Sequence, residues 1–385
     1  MTPGHHPSNS ISVVIPTLNR APLLERLLAS LDPAIDRVGG PVEVIVVDDS
    51  NANHRAQVEA ACVRHGATYI YEPTDLSSKR NIGIQQSRYP IVLLIDDDCI
   101  ADADLLVQHL RVYREDAMHK VGGCVGLTQF YGDKTWLWEV LEQDTPFTIP
   151  FDFAASMDEV PWGTTNNMSL SRAVLDQLGG FRTTLRKGQG GEDVDLSLRV
   201  WEAGWTLKAA PLARVMHTRE TWNRLGPTMS RIMHYGRADA HLVRMHVSRT
   251  VLDMPRLTVI ALLAAVTAAA SALVTARIWP LVCWAIWIAL TLALNGVLLM
   301  RWRGRTGAFW RVLVGDLLCR IFEVGVVYES LIRWNWAGLT RRMVYTSGQQ
   351  TGDWYQSSLR LWAALLAATV VIVLVAAWHA LGATI

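Results

Sequence analysis

The stretch PIVLLIDDDC, Pro90 to Cys99, decides how this chain is read. A run of five aliphatic residues, Ile91 to Ile95, follows Pro90 and ends on three carboxylates, Asp96, Asp97 and Asp98. A short Val/Ile/Leu run of this kind predicts a buried strand, and acids just past its carboxyl end lie where open α/β sheets bind ligands. Side chains alternate along an extended segment, so Asp96 and Asp98 are expected to converge while Asp97 points elsewhere. At ~5 Å and an effective dielectric of ~20, two such charges repel by roughly 3 kcal/mol. A divalent cation relieves that repulsion. Hard carboxylate oxygens suit Mg²⁺ or Mn²⁺, ions that commonly serve phosphate-bearing substrates.

Upstream, three further apolar runs predict strands: ISVVI (Ile11 to Ile15), VEVIVV (Val42 to Val47) and ATYIY (Ala67 to Tyr71). Between them, Asn19 is placed to cap a helix opening near Pro22, and Ser77 or Ser78 to cap another running through Ser87. The βαβ alternation predicts a Rossmann-like α/β domain with a mainly parallel sheet covered on both faces. The loops PTLNR (Pro16 to Arg20), DDSN (Asp48 to Asn51) and the Asp96 triplet then fall on one edge and form one cleft. Neither GxGxxG nor GxxxxGK[ST] occurs, which argues against a dinucleotide fingerprint or a P-loop.

The chain has 385 residues, half of them hydrophobic, and the apolar excess gathers after about residue 256. Leu257 to Ala276, Ile278 to Met300 and Leu361 to Leu381 are nearly uncharged and each is long enough to span a bilayer. The expected organisation is a tail over 1–9, a catalytic domain over 10–225, a basic juxtamembrane helix over 226–256 and a membrane region over 257–385. Five scattered cysteines without metal-ligand spacing suggest a reducing compartment, and MTPGHHPSNS lacks the apolar core of a cleaved secretion signal. A net charge of +1 gives no argument for a nucleic-acid partner.

VVIPTLNR, VVDDSN, LSSKRNIGI, LLIDDDC, GTTNNMSLSR with LGGF, and GGEDVDLSLRVWEAGW occur in that order between about Ser10 and His217. Together they resemble a membrane-anchored family 2 glycosyltransferase with the A-type nucleotide-sugar-binding fold. The resemblance implies sugar transfer from a nucleoside-diphosphate sugar, with inversion at the anomeric carbon and help from Mg²⁺ or Mn²⁺. Pro16 and Asp49 match positions lining the nucleoside site. Arg80 and Asn81 match a helix-start segment facing the donor, where a helix amino terminus and a guanidinium also suit a diphosphate on physical grounds. Asp96 and Asp98 resemble the metal-associated DxD pair, Asp98 as the direct ligand, with Asp97 against the nucleotide or donor sugar. His217 resembles a late histidine that some A-type transferases give to the metal.

Glu192, Asp193 and Asp195 open an amphipathic helix after KGQGG, and acids in a first turn also favour the helix dipole. Inverting transfer needs a base for the acceptor hydroxyl proton. The resemblance places that base in the Glu192-Asp193 pair, Asp193 by motif match and Glu192 as the alternative or as an acceptor contact, with Asp195 structural. Trp162, Asn166 and Asn167 match the segment before the acceptor helix, where an indole can stack on a sugar and amides can bond hydroxyls.

Arg231, Arg237, Arg244, Arg249 and Arg256, interleaved with His234, His241 and His246, make the segment before the first span basic and attractive to anionic membrane lipid. With RWRGR (Arg301 to Arg305), Arg341, Arg342 and Arg360, the positive-inside rule places these flanks and the catalytic domain in the cytoplasm, on a multi-pass inner-membrane protein. Trp310 to Arg333 gathers its apolar residues on one side, with Arg311, Asp316, Arg320 and Glu323 opposite. An isolated charge at mid-bilayer costs ~2.5 to 3.5 kcal/mol, so an interfacial helix over about 309–333 beside three spans is expected, with four spans as the alternative. The acceptor is then a lipid-linked or cell-envelope glycan, and polysaccharide biosynthesis the setting. A polyprenyl-phosphate sugar synthase is the alternative, although DDDC departs from the DADxQ-like pattern of those enzymes; a non-catalytic membrane scaffold is a further one. Only RW of a QxxRW motif stands at Arg333-Trp334, which favours single addition over polymerisation.

Overall fold

The structure is a computed structural model that describes residues 9–183, 190–252, 257–302 and 308–344. The chain divides into two compact units, residues 1–142 with 146–228, and residues 143–145 with 229–385.

In chain order the first unit begins β1 (Ile11–Thr17), α1 (Ala21–Asp36), β2 (Val42–Asp48), α2 (Ala52–Arg64), β3 (Thr68–Tyr71), α3 (Leu76–Gln86) and β4 (Ile91–Ile95). It continues with β5 (Cys99–Ala101), α4 (Leu105–Arg114), β6 (Val121–Tyr131), α5 (Trp136–Asp144), α6 (Phe153–Ser156), β7 (Asn167–Ser171), α7 (Arg172–Leu178), α8 (Glu192–Glu202) and β8 (Thr206–Thr218). The eight strands form one sheet in the order β3-β2-β1-β4-β7-β6-β8-β5. β3, β2, β1 and β4 run parallel, as do β6 and β8, whereas β7 is antiparallel to both its neighbours and β5 is antiparallel to β8. The sheet is therefore mainly parallel, as the βαβ alternation predicts.

Strands buried on both faces read as unbroken apolar runs. Val13, Ile15, Leu93 and Ile95 face one core layer with Leu24, Leu27 and Leu28 of α1, while Val14, Val92 and Leu94 face the other with Met168, Leu170 and Leu196. Truncating Leu93, fully buried among these, is the kind of change that costs about 2 to 5 kcal/mol. From β1 the chain builds outward through β2 to β3, then returns to place β4 on the other side. That reversal is a topological switch point, where open α/β sheets bind ligands. The β1–β2 ladder runs on to Thr17 opposite Asp48, but the β1–β4 ladder ends at Val14 opposite Leu94, so the two strands part there.

Two expected caps fall elsewhere. Asn19 adopts a left-handed conformation with φ 56°, accepts from the Asn51 amide and donates its own amide to Ser50 Oγ. It ties two loops together, and Arg20 takes the cap position without a side-chain bond. Asp75, not Ser77 or Ser78, caps α3 by accepting from the Ser78 amide at 3.0 Å.

The second unit holds most of α9 (Leu225–Met245), with β9 (Thr250–Leu252), α10 (Leu257–Thr275), α11 (Trp279–Trp302), α12 (Phe309–Ile332), α13 (Trp336–Thr340) and β10 (Arg341–Met343). Two of these helices, Thr258–Thr275 and Trp279–Val297, are long and apolar enough to cross a membrane. The third expected span, 361–381, lies outside the described residues. On α12 the polar stripe turns inward rather than to water. Asp316 accepts from Asn295 of α11 and from Arg320, and Glu323 accepts from Thr258 of α10 and from Arg320. The apolar residues Trp310, Leu317, Val324 and Tyr328 are the exposed ones. The cost assigned to isolated charges does not apply, because these are paired with one another and with neighbouring helices. Arg237 and His241, expected to face lipid head groups, instead grip the buried Glu329 at 2.8 and 2.9 Å.

Candidate active site

The chain leaves β4 at Ile95 and turns at once, so pleat alternation stops where the acids begin. The expectation that Asp96 and Asp98 converge is corrected accordingly. Asp97 and Asp98 are the converging pair: Arg20 Nη1 donates to Asp97 Oδ1 at 3.1 Å and to Asp98 Oδ2 at 3.2 Å. Asp96 turns the other way, towards Arg80. Asp97 is buried, accepts from Thr17 Oγ1 at 2.7 Å, and has its pKa pushed up to about 6 by burial, against the pull of Arg20.

β5 begins directly after Asp98 and pairs antiparallel with β8 in a register that sets Cys99 opposite His217. His217 Nε2 thereby stands 3.1 Å from Asp98 Oδ1. Its Nδ1 lies 2.8 Å from the Thr218 carbonyl, which can only accept, so Nδ1 carries a proton. In the neutral ring, Nε2 then presents a lone pair to a carboxylate oxygen. Two acceptors at that distance require a cation or a proton between them. Burial works against a second proton, but the hydrogen bond and charge of Asp98 hold the His217 pKa above its ordinary value. The Cys99 thiol completes a cluster in which Asp98, Cys99 and His217 offer ligand atoms within 4.8 Å of one another. The donor set fits a divalent cation, with Asp98 and His217 holding it and the Thr218 carbonyl orienting the imidazole behind.

The second acidic group enters from α8. Gly191, at φ 85°, reverses the chain into that helix in a conformation that favours glycine. Glu192 accepts from Arg80 Nη1 at 2.7 Å, and the other Arg80 nitrogen reaches Asp96. Arg80 is buried, so it is not the open diphosphate ligand that a helix start suggested. Asp193 follows, half-buried, its pKa raised to about 7 first by loss of hydration and then by the charge of Glu192. Asp195 is fully buried and accepts from Arg182 at 2.7 Å and Arg199 at 3.0 Å, as befits a structural acid. Most of KGQGG lies outside the described residues.

Pro16 and Asp49 lie at the ends of β1 and β2, either side of the parting from β4. Sequence reasoning missed three neighbours there. Arg20 and Thr17 hold the acids, and the buried Lys79 donates to the Thr17 carbonyl at 2.7 Å, its pKa lowered by burial although Asp49 and Asp97 pull it back. The signal was present, since Lys79 immediately precedes Arg80 and Arg20 closes PTLNR.

The amides expected to bind donor or acceptor are engaged elsewhere. Asn81 exchanges two 2.8 Å bonds with the backbone of Phe181 and fixes the LGGF turn, where a Cβ on Gly180 would strike the Asn81 side chain. Asn167 is fully buried and bonds His109 at 2.8 Å and the carbonyls of Leu127 and Ala213. Asn166 is buried against Thr128 and Thr164. Both are corrected to internal ties: Asn167 satisfies buried backbone carbonyls, and Asn166 pairs with buried threonine hydroxyls. Trp162 retains partial exposure and packs edge-on to Phe153 at 5.8 Å.

Residues 7–230 match the family model described as glycosyltransferase like family 2, which is more than half of the chain. The chain belongs to this family. Among its curated relatives is the validoxylamine A glucosyltransferase of Streptomyces hygroscopicus subsp. jinggangensis, 27% identical over 246 residues, covering 56% of this chain and 55% of that one. Another is the pre-mycofactocin glycosyltransferase of Mycobacterium tuberculosis, 26% identical over 253 residues, covering 64% of this chain and 50% of the relative. The chain thus spans about half the length of the curated relatives it matches. Among solved structures, the mannosyltransferase PcManGT from Pyrobaculum calidifontis, in complex with GDP-Man and Mn²⁺, aligns over 85% of each chain at 17% identity with a TM-score of 0.46. In this family 2 glycosyltransferase domain, the Asp96 turn, β8 and the head of α8 all meet at the carboxyl edge of the parallel strands.

Proposed function

We propose that this chain transfers a sugar from a nucleoside-diphosphate sugar to a lipid-linked or envelope-glycan acceptor at the membrane, with inversion and with a divalent metal. The observation that carries the reading is that Arg80 joins two acidic centres, donating to Asp96 in the turn that also holds the Asp98–His217 pair and to Glu192, the residue before Asp193. Pro16, Asp49 and Lys79 line the nucleoside end. Asp98 and His217 would hold the cation, whose positive charge would offset the negative charge of the diphosphate. The acceptor hydroxyl oxygen attacks the anomeric carbon opposite the diphosphate and forms the new C–O bond. The old C–O bond breaks, its electron pair departs on the nucleoside diphosphate, and the hydroxyl proton passes to Asp193. A base is most effective when its pKa lies near the working pH, and about 7 meets that condition.

Two apolar helices and the exposed apolar face of α12 support a membrane-bound enzyme, and the basic flanks support a cytoplasmic catalytic domain. The test is the full chain in lipid nanodiscs, incubated with a panel of nucleotide sugars and Mn²⁺ or Mg²⁺, scoring released nucleoside diphosphate with and without extracted membrane glycolipid. Release that depends on one donor, metal and glycolipid is expected. Absence of donor binding and of release across the panel would overturn the reading.

A further inference from the structure

Arg80 makes contacts unlike those of a substrate-binding arginine. Its side chain is 2% exposed, Nη1 and Nη2 are committed to Glu192 and Asp96, and its guanidinium stands 5.6 Å from the ring of Phe181. The two acids arrive from different places, one from the turn after β4 and one from the first turn of α8. Burial alone works against charge on Arg80, and Asp96 and Glu192 together outweigh it. A planar fork is the side chain that can meet two carboxylates at once; an ammonium meets them only as a point charge.

We propose that Arg80 is a positioning residue for sugar transfer, docking the head of α8 onto the Asp96 turn and keeping Glu192 an occupied acceptor so that Asp193 alone is left to take the acceptor proton. The inference rests on the transferase reading and deepens it. The docking matters because Asp193 is the next residue on the same helical turn, and a displacement of ~1 Å in a reacting group can cost about 10²-fold in rate. Burial is the main cause of the raised pKa of Asp193, and the Arg80 charge opposes it. The groups facing its carboxyl are Glu192 and Asp96, which raise its pKa, and Arg80 and the Val194 amide, which lower it. Removing Arg80 takes away the facing cation and leaves both acids.

The experiment uses the full chain in nanodiscs with the donor and metal that support nucleoside-diphosphate release. Arg80→Ala should lose about 10²-fold in turnover while donor affinity, measured by calorimetry, stays within about threefold. Its acid limb in the pH–rate profile should move to higher pH. Guanidinium ion at tens of millimolar should restore part of the rate by entering beside Asp96, whose side chain is 32% exposed, whereas urea, similar in shape but uncharged, should not. Should the alanine variant fail to fold, Arg80→Lys keeps a charge that cannot fork, and a smaller loss of turnover with a smaller shift of the acid limb is expected. Normal turnover in the folded Arg80→Ala or Arg80→Lys chain would overturn the proposal. So would equal losses of turnover and donor affinity, the mark of a diphosphate ligand, or equal rescue by urea. If the wild-type chain releases nucleoside diphosphate from no donor, the transferase reading itself fails, and this inference with it.

Discussion

Asp193 and Asp195 stand two residues apart in one turn of α8, and replacing each with asparagine should produce opposite phenotypes. Asp195 is fully buried between Arg182 and Arg199, and Arg199 also donates to the carbonyls of Leu178 and Gly180. Neutralising Asp195 takes from the buried Arg199 guanidinium the carboxylate it is bonded to, its strongest counter-charge. Breaking a buried pair in this way costs about 3 to 5 kcal/mol. For a unit of this size each kcal/mol shifts the midpoint by about 2 to 4 °C, so Asp195→Asn should lower Tm by roughly 6 °C or more. Asp193 behaves in the opposite sense. A pKa raised to about 7 means that its surroundings favour the neutral carboxyl, so a neutral amide of the same shape should leave Tm nearly unchanged. Turnover should instead fall by about 10² to 10⁴, as for loss of a general base. The wild-type rate should itself fall as the pH drops through about 7, where Asp193 takes up its proton, and that limb should vanish in Asp193→Asn. The assay is nucleoside-diphosphate release against pH beside thermal unfolding in the same nanodiscs. Near-normal turnover in Asp193→Asn would refute the assignment, and a dead Glu192→Gln that still bound donor would move the base to Glu192.

Asp98→Ala and His217→Gln should each abolish Mn²⁺-dependent donor binding by calorimetry, while Asp97→Ala, which removes the bonds from Thr17 and Arg20 but leaves Arg20 on Asp98, weakens it less; unchanged affinity in both of the first two variants would remove the metal from this pair. His109 is buried neutral between Ser169 and Asn167, its pKa brought down to about 4 by burial. Its folded pKa lies below the unfolded value near 6.5, so its contribution is complete above pH 6.5 and declines as the pH falls towards 4, by up to about 1.4 kcal/mol per unit; Tm measured from pH 7 to pH 5 should fall less steeply in His109→Gln. In the second unit α9 and α12 cross where Gly236 faces the Phe322 carbonyl and Gly325 faces the Met233 carbonyl, so Gly325→Leu should separate the helices and lower Tm sharply, whereas the same change at the exposed Val324 should do little.

Runs of Val, Ile and Leu fixed the first four strands to within a residue or two, because residues buried on both faces leave no alternation to misread. The sequence also placed PTLNR, DDSN and the Asp96 turn on one edge, since parallel strands joined by helices bring their carboxyl ends together, and the motif resemblance pointed to Asp98, Glu192 and Asp193 as site residues. Composition alone marked the long apolar helices.

Tertiary structure decided which partner each side chain took. Alternation along a strand misplaced Asp96 and Asp97 because the chain stops being extended at Ile95, and a turn is set by what packs around it. His217 reaches Asp98 through an antiparallel register between residues more than a hundred positions apart, which no local period records. Arg80, Asn81, Asn166 and Asn167 were expected at the ligands because their motifs match family segments that face donor or acceptor; their internal hydrogen bonds make them ties within the site instead. The polar stripe of α12 was legible, but its direction was not, since a helical period gives the faces of a helix and only the neighbouring helices determine which face lies inside.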